Sequence, residues 1–246
     1  MKPEMHIFRD SGEMATFLAE KLLEFILLSS KKNQKVNIAL SGGNTPELFY
    51  RRLSSLAAVK SPKINWEPVH FFWGDERCVP PGHAESNFGM ANRALLRTIE
   101  IPEKNIHRIY GENKPEEEAI RYSSELRLNL PLRNGTPRFD WIFLGLGEDG
   151  HTASIFPDRL DLLYSVKECE VAHHPTSGQK RITVTGKVLI NASNISFLVT
   201  GGAKKIKVME ILKDYINAKK YPAYFIKPVS GELEWLLDFA AAELIK

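Results

Sequence analysis

The chain has 246 residues, of which 43% are hydrophobic and 26% are charged. This balance is that of an ordinary globular protein and excludes collagen-like, coiled-coil and largely disordered classes. Thirty-three Lys and Arg against 30 Asp and Glu leave a net charge of +3, which is too small to indicate a nucleic-acid-binding protein but suits a site for small anions. The two cysteines, Cys78 and Cys169, lie far apart, so neither a disulfide scaffold nor a zinc ribbon is predicted.

The first ten residues lack the pattern of a secretory signal peptide, in which a basic region precedes an apolar one. The best apolar stretch, residues 22–28, is interrupted by Glu24 and is shorter than the ~18 residues that a membrane-spanning helix needs. We therefore expect a cytoplasmic protein that binds neither membranes nor nucleic acid.

Helical spacing of apolar residues alternates along the chain with short β-branched or aromatic runs. In the first part, the predicted elements are a helix from the N-cap Ser11 to about Lys31, a strand over 36–40, a helix with Pro46 at its first position and a strand over 69–73. The polar, proline-rich segment 74–89 is predicted to be a long loop. Helices over about 86–99 and 115–130 follow, and an Asn134-Gly135 turn leads to a buried strand over 139–146.

The last third contains further predicted elements of both kinds. They are strands over 181–185 and 195–200, a short helix near Val188, a helix from about Lys204 and an amphipathic C-terminal helix from about Gly231. The alternation predicts an α/β layer fold with a parallel sheet, formed by a single domain over residues 1–246. In such folds, ligands bind to the loops at the carboxyl ends of the strands.

Two segments repeat the order strand, glycine turn, helix. They are SGGNTP at 41–46 and GGAK at 201–204, with the candidate residues Ser41, Gly42, Gly43, Thr45 and Lys204. Glycine lets the backbone approach a ligand, and the exposed N–H groups of a helix N-terminus favour an anion such as phosphate. Each segment alone also fits a tight turn, with Thr45 as a helix cap and Lys204 as a solvated surface lysine.

The segment GLGEDG at 145–150 matches the GxGxxG pattern of dinucleotide-binding turns. We reject that function because Glu148 and Asp149 would repel phosphate and Pro157 interrupts the required helix. His151 follows directly, and a histidine is suited to act as a general base, with Asp149 placed to orient it. Without further context, this sequence also fits a simple turn.

Charged residues lie at the ends of two other predicted strands. Asp75, Glu76 and Arg77 follow the strand over 69–73, where a guanidinium can bind phosphate or polarise a carbonyl and a carboxylate can hold sugar hydroxyls. The alternative is a surface ion-pair cluster. Arg181 opens the strand over 181–185 and, alternatively, is a charge that protects an exposed sheet edge.

For three residues with metal-binding or nucleophilic side chains, the sequence predicts no functional site. His173 and His174 have no acidic or cysteine partner at ligand spacing, so we interpret them as loop residues and predict no metal site. Cys78 lacks an evident partner base, so an activated thiol is not expected.

Three blocks in fixed order, SGGNTP, GDERCVP with SNFGMA, and LGLGEDGHTASIFP, resemble those of the 6-phosphogluconolactonase family, within the glucosamine-6-phosphate isomerase/6-phosphogluconolactonase superfamily. RIT at 181–183 and the terminal WLLDFAAAEL extend the likeness, which runs from about residue 36 to the C-terminus. The resemblance implies a Rossmann-like parallel sheet flanked by helices on both faces, without a bound dinucleotide.

The resemblance also implies an activity, the hydrolysis of 6-phospho-D-glucono-1,5-lactone to 6-phosphogluconate in the oxidative pentose phosphate pathway, with no metal or organic cofactor. It implies that His151 deprotonates water, that Asp149 orients His151 and that Arg77 supports the developing oxyanion. The implied ligands of the 6-phosphate are Ser41, Gly42, Gly43, Thr45, Arg181 and Lys204, and those of the ring hydroxyls are Asp75 and Asn87. We expect a monomer or small homo-oligomer.

Two other functions are weighed against this one. Glucosamine-6-phosphate deaminases resemble GHIAFNEP where this chain has GHTASIFP, and they carry a carboxylate at the position of Phe156, so the sequence favours lactone hydrolysis. A non-catalytic sugar-phosphate-binding protein, like the effector domains of some transcription regulators, is expected to carry a basic DNA-binding module. None is evident in the first 35 residues or at the C-terminus.

Overall fold

The computed structural model describes residues 3–245. The strands are β1 (Glu4–Phe8), β2 (Val36–Leu40), β3 (Val69–Trp73), β4 (Asp75–Arg77), β5 (Ile106–His107), β6 (Leu132–Arg133), β7 (Thr136–Pro137), β8 (Trp141–Gly145), β9 (Cys169–His173), β10 (Lys180–Val184), β11 (Asn194–Val199) and β12 (Glu232–Asp238). The α-helices are α1 (Ser11–Lys31), α2 (Asn44–Val59), α3 (Asn87–Ala94), α4 (Pro115–Asn129), α5 (Gly186–Leu189) and α6 (Lys205–Leu212).

Seven strands form one sheet in the order β1-β12-β11-β8-β2-β3-β5, and every neighbouring pair is parallel. This confirms the predicted parallel α/β sheet flanked by helices. From β2 the chain first adds strands on one side, β3 and β5, and later adds β8, β11 and β12 on the other. The order therefore reverses between β2 and β8, and a crevice for a ligand opens there at the carboxyl ends of the two strands.

A second, three-stranded sheet has the order β4-β10-β9 and is antiparallel. The prediction of a continuous loop after Trp73 is therefore wrong at β4. Its three residues are all charged, and they form a strand because β10 supplies a pairing partner, which is a tertiary effect that local propensity does not contain. In this pairing Arg77 lies opposite Arg181.

The C-terminal region is a strand, β12, so the predicted amphipathic helix from about Gly231 is wrong. Five consecutive residues of β12 are buried, because β12 lies between β1 and β11 inside the sheet. An apolar run of this kind does not distinguish a buried strand from a buried helix. The Trp235 ring stacks on that of Phe197 in β11, with 4.3 Å between the ring centres.

The predicted helices are present, with differences at their ends. Helix α1 is capped by Asp10 instead of Ser11, because an Asp10 carboxylate oxygen accepts the Glu13 backbone N–H at 2.9 Å. Helix α2 begins at Asn44, so Pro46 is its third residue. The helix predicted over 86–99 is shorter, ending at Ala94, and the predicted helices α4, α5 and α6 are confirmed.

A chain of three titratable side chains joins β3, β5 and α4. His70 Nδ1 lies 2.9 Å from His107 Nε2, and His107 Nδ1 lies 2.6 Å from a Glu125 carboxylate oxygen. Burial and the charge of His107 lower the pKa of His70 to about 4. The unfolded chain therefore takes up a proton at this histidine near pH ~6.5, whereas the folded protein does so only near pH 4.

We expect acidification to destabilise the protein partly through His70. Its contribution to stability is fully present above the unfolded pKa and is lost as the pH falls through the folded pKa of about 4. The free energy of unfolding, measured by denaturant titration at pH 7 and pH 5, should fall less for His70→Asn than for the wild type. An equal fall in both proteins would contradict the assignment.

Candidate active site

The crevice between β2 and β8 contains a cavity of about 180 Å³. Eight of the residues singled out in the sequence line it, namely Ser41, Gly42, Gly43, Asp75, Arg77, Asn87, His151 and Arg181. The other lining residues are Gly145, Leu146, Gly147 and Ala153. Segments far apart in the sequence meet here because two sheets contribute, the parallel sheet through the turns after β2 and β8, and the small sheet through β4 and β10.

His151 lies in the turn after β8, and Asp149 fixes its ring. An Asp149 carboxylate oxygen accepts the His151 backbone N–H at 3.0 Å and lies 2.6 Å from its ring Nδ1. Although burial raises the pKa of Asp149, the hydrogen bond and the charge of His151 outweigh it and lower the pKa. A carboxylate that accepts from Nδ1 leaves the other ring nitrogen, Nε2, as the basic atom.

The glycines of this turn are required by close packing. A Cβ on Gly147 would lie 2.1 Å from His151 Nδ1, and Gly150 has a φ of +89° with the Tyr221 ring directly beside it. The acidic GLGEDG segment is thus a tight turn that presents a histidine. It does not open a helix, because the chain over 146–156 forms turns and an isolated β-bridge before Pro157 is reached.

Phe156 forms an apolar wall next to the histidine. Its side chain is fully buried, with 4.8 Å between its ring centre and that of His151. The Arg181 guanidinium lies 5.6 Å from the same ring centre. The Phe156 ring therefore covers one side of the His151 ring and provides a surface for Arg181.

Asp75 is a buried carboxylate, 5% exposed, that accepts hydrogen bonds from two neighbouring side chains. Ser154 Oγ donates to a carboxylate oxygen at 2.6 Å, and Asn87 Nδ2 donates to the Asp75 backbone carbonyl at 2.9 Å. Thr183 Oγ1 in turn accepts the Ser154 backbone N–H at 3.2 Å. A Cβ on Gly42 would lie 1.9 Å from Asn87 Oδ1, so the glycine turn packs directly on this network.

Glu76 is 2% exposed and organises the segment that follows it. Its carboxylate accepts four hydrogen bonds, from the backbone N–H groups of Arg77, Asn87 and Phe88 and from Ser86 Oγ, at 2.7 to 3.0 Å. Burial raises the pKa of Glu76, and these four bonds oppose that effect. No local pattern indicates this role, because most of the donors come from the far end of the polar segment after β4.

Arg77 and Arg181 lie opposite each other on paired strands, an arrangement in which like charges repel. Arg77 Nη1 donates to the Glu85 backbone carbonyl, and the Nε atoms of both arginines are buried without a partner in the described part of the chain. Burial lowers the pKa of Arg181. The negative charge of Asp75 opposes this shift, and the positive charge of Arg77 increases it. Since β10 is the central strand of its sheet, the alternative of an edge-protecting charge is wrong for Arg181.

Thr45 and Lys204 lie beside the cavity and do not line it. Thr45 Oγ1 is 2.6 Å from Thr200 Oγ1, so the two glycine turns are in contact. Lys204 Nζ lies 3.6 Å from a Glu148 carboxylate oxygen. The second turn thereby brings a lysine next to the loop that carries His151.

His173 and His174 lie at the end of β9, and Cys78 follows β4. His173 ends β9 and is not a loop residue, whereas His174 follows the strand and lies near Phe156, at 5.3 Å between ring centres. Cys78 is half-buried, and burial raises the pKa of its thiol to about 11. This agrees with the expectation that Cys78 is not an activated nucleophile.

Within residues 3–245, three side chains are close enough together to hold a metal ion, namely Glu4, His6 and Glu234. They lie on β1 and β12, away from the cavity lining, and Lys21 Nζ is already 2.6 Å from the Glu234 carboxylate.

No helix in the described residues is both long and apolar enough to cross a membrane.

The strand order, the two glycine turns and the carboxylate-bound histidine define an α/β protein with a polar cavity at the carboxyl edge of its parallel sheet. A family model described as glucosamine-6-phosphate isomerases/6-phosphogluconolactonase matches residues 9–235. The chain therefore belongs to this family, and the resemblance noted in the sequence is confirmed.

Several individual proteins are similar to this chain over most of its length. The chain is 43% identical to a 6-phosphogluconolactonase of Haemophilus influenzae over 94% of this chain and 97% of that protein. It is 41% identical to one of Treponema pallidum over 85% of this chain and 84% of that protein. The solved 6-phosphogluconolactonase structure from Trypanosoma brucei has a TM-score of 0.86 at 30% identity and covers 100% of this chain and 99% of its own. A monomeric glucosamine-6-phosphate deaminase shares the fold, with a TM-score of 0.82 at 19% identity.

Replacing Glu76 should strongly destabilise the fold around the cavity. Glu76→Ala leaves several buried donors without a partner, and we expect it to lower the free energy of unfolding by about 3 kcal/mol. Denaturant titration measures this, with Glu20→Ala on the exposed side of α1 as a control that should change stability by less than about 0.5 kcal/mol. Equal effects of the two variants would rule out the anchoring role.

Proposed function

We propose that the protein hydrolyses 6-phospho-D-glucono-1,5-lactone to 6-phosphogluconate, in the cytoplasm, as a step of the oxidative pentose phosphate pathway. The observation that carries the proposal is a histidine fixed through Nδ1 by Asp149, at a cavity that also contains two arginines with unpaired Nε atoms among the described residues. A base beside cationic donors suits attack by water on an ester carbonyl. Relatives named 6-phosphogluconolactonase at 40–43% identity support the same reaction.

The chemical steps follow from this arrangement. His151 Nε2 removes a proton from water, the resulting hydroxide attacks the lactone carbonyl carbon, and Asp149 stabilises the imidazolium. Arg77 donates to the carbonyl oxygen as it becomes an oxyanion. The tetrahedral intermediate then collapses with cleavage of the bond to the ring oxygen, which takes the proton from His151 and becomes a hydroxyl group. The product acid ionises and releases one proton.

The remaining residues hold the substrate. The turn residues Ser41, Gly42, Gly43 and Thr45, together with Arg181 and Lys204, bind the 6-phosphate, because N–H groups at a helix start and nearby cations suit a phosphate. Asp75 and Asn87 bind ring hydroxyls, and Ser154 and Thr183 keep the Asp75 carboxylate in place. The reaction needs no metal or organic cofactor, and it can proceed in a monomer or in a small homo-oligomer.

The position of Phe156 separates this function from aminosugar-phosphate deamination. Opening a sugar ring requires proton transfer at the ring oxygen, for which the related deaminases have a carboxylate beside the histidine. Here the buried Phe156 ring occupies that place and supplies no proton carrier. Lactone hydrolysis requires only an activated water and a stabilised oxyanion.

The first experiment is an assay of the wild-type protein with two substrates. Fresh lactone produced by glucose-6-phosphate dehydrogenase should be consumed with release of protons, and glucosamine 6-phosphate should yield no ammonia. Phe156→Glu should reduce lactone hydrolysis, because it places a charge beside His151, and should not create an efficient deaminase. Ammonia release by the wild type at a rate comparable to lactone hydrolysis would favour the deaminase instead.

His151→Ala tests the base. We expect kcat to fall by ~10²-fold or more while the affinity for 6-phosphogluconate changes little, since the lost interaction acts in the transition state. Proton release gives kcat, and calorimetry gives the product Kd. His173→Ala, at an exposed histidine on β9, is the matched control. Near-normal kcat in a folded His151→Ala protein would exclude His151 as the base.

Lys204→Ala tests the phosphate site. We expect it to weaken 6-phosphogluconate binding by about 1.5 to 3 kcal/mol, the range for a hydrogen bond to a charged group. The adjacent Lys205 pairs with Glu243 at 3.0 Å, so Lys205→Ala should have little effect on affinity. If the wild type bound gluconate as tightly as 6-phosphogluconate, the phosphate assignment would be wrong.

A further inference from the structure

His174 begins the hairpin loop between β9 and β10. Two backbone hydrogen bonds close this loop, from His174 N–H to the Gln179 carbonyl and from Gly178 N–H to the His174 carbonyl, both at 2.9 Å. The His174 ring packs edge-on against Phe156, at 5.3 Å between ring centres. Because the same Phe156 ring contacts His151 and Arg181, a short and closed loop places a second imidazole at the wall of the site.

The hydrogen bonds of His174 fix which ring nitrogen carries the proton. Its Nδ1 lies 3.3 Å from the backbone nitrogen of Thr176 and 3.2 Å from that of Ser177, and both N–H groups donate to it, so Nδ1 is an acceptor. The proton of the neutral ring is therefore on Nε2. Since the two ring nitrogens point in divergent directions, Nε2–H points away from the loop. No atom of residues 3–245 accepts a hydrogen bond from it.

The charges around His174 are those of the proposed active site. Burial lowers its pKa, the charges of Arg181, His151 and Arg77 lower it further, and the charge of Asp149 opposes them. A lowered pKa keeps the ring neutral at the pH of a cytoplasmic enzyme. His174 is thus a neutral N–H donor whose ring packs on the same Phe156 side chain as the Arg181 guanidinium, a combination that complements an anion without adding further repulsion between cations.

We propose that His174 donates its Nε2–H to the 6-phosphate of the substrate, next to Arg181, and so contributes to the preference for phosphorylated sugar lactones. This role rests on the proposed function. The phosphate is favoured over the lactone carbonyl because His174 and Arg181, which is assigned to the phosphate, pack against the same Phe156 ring. The interaction exists in the bound ground state, so it affects binding and not the chemical step.

Two amide substitutions separate the two nitrogens of the ring. Asn places its polar atoms near the position of Nδ1 and removes the donor at Nε2, whereas Gln reaches the position of Nε2 and keeps a donor there. His174→Asn should raise KM and the Kd of 6-phosphogluconate by about 10- to 100-fold, the effect of losing a hydrogen bond to a charged group. His174→Gln should recover most of that affinity. A purely structural role of the loop predicts the opposite order.

Two further measurements complete the test. The inhibition constant of inorganic phosphate should rise in His174→Asn, and the neighbouring exposed variant His173→Asn should leave it unchanged. The affinity ratio of wild type to His174→Asn should be constant from pH 6 to 8, because the donor is neutral; a ratio that grows as the pH falls would show an imidazolium instead. If His174→Asn does not fold, His174→Ala gives the same loss of the Nε2 donor.

The outcomes distinguish the two proposals. A wild-type protein without lactone hydrolysis would reject the proposed function. An active wild type whose His174→Asn variant binds 6-phosphogluconate normally would reject only the role of His174. A fall in kcat with unchanged Kd would also reject it, since the donor would then act on the reacting carbonyl and not on the phosphate.

Discussion

The buried carboxylate of Glu76 is the constraint on which the site depends. In a strand, successive side chains point to opposite faces, so Asp75 and Arg77 share one face of β4 while Glu76 lies on the other. The cavity-facing pair is held in place because Glu76 collects four donors from its own strand and from the start of α3. The hydrogen bonds oppose the cost of burying this carboxylate, and they also fix both ends of the polar segment between β4 and α3.

The two sheets have different roles around the same cavity. The parallel sheet provides backbone turns and the histidine, at the point where its strand order reverses. The small antiparallel sheet provides the guanidinium groups, and its pairing holds Arg77 and Arg181 together despite their repulsion. Backbone hydrogen bonds between β4 and β10 therefore hold two guanidinium groups close together, although the repulsion between their charges favours separating them.

Local signals in the sequence predicted the parallel sheet, the glycine turns and the turn that carries His151, because each is formed by neighbouring residues. The same signals did not reveal β4 or β12, whose conformation depends on partner strands far away in the chain. They also did not reveal the Ser154 contact with Asp75 or the position of His174 beside Phe156. Those contacts depend on how two sheets and a hairpin loop meet, which periodicity and propensity do not contain.

The position of β1 has a consequence for the synthesis of the chain on the ribosome. This edge strand pairs only with β12 among the described strands, Met5 opposite Trp235, and Lys21 of α1 reaches Glu234 of the same strand. β1 leaves the ribosome well before the inner strands, yet its pairing partner emerges after all of them. We therefore expect the inner strands to assemble during translation while β1 remains unpaired. The sheet is then completed late, after β12 has been synthesised.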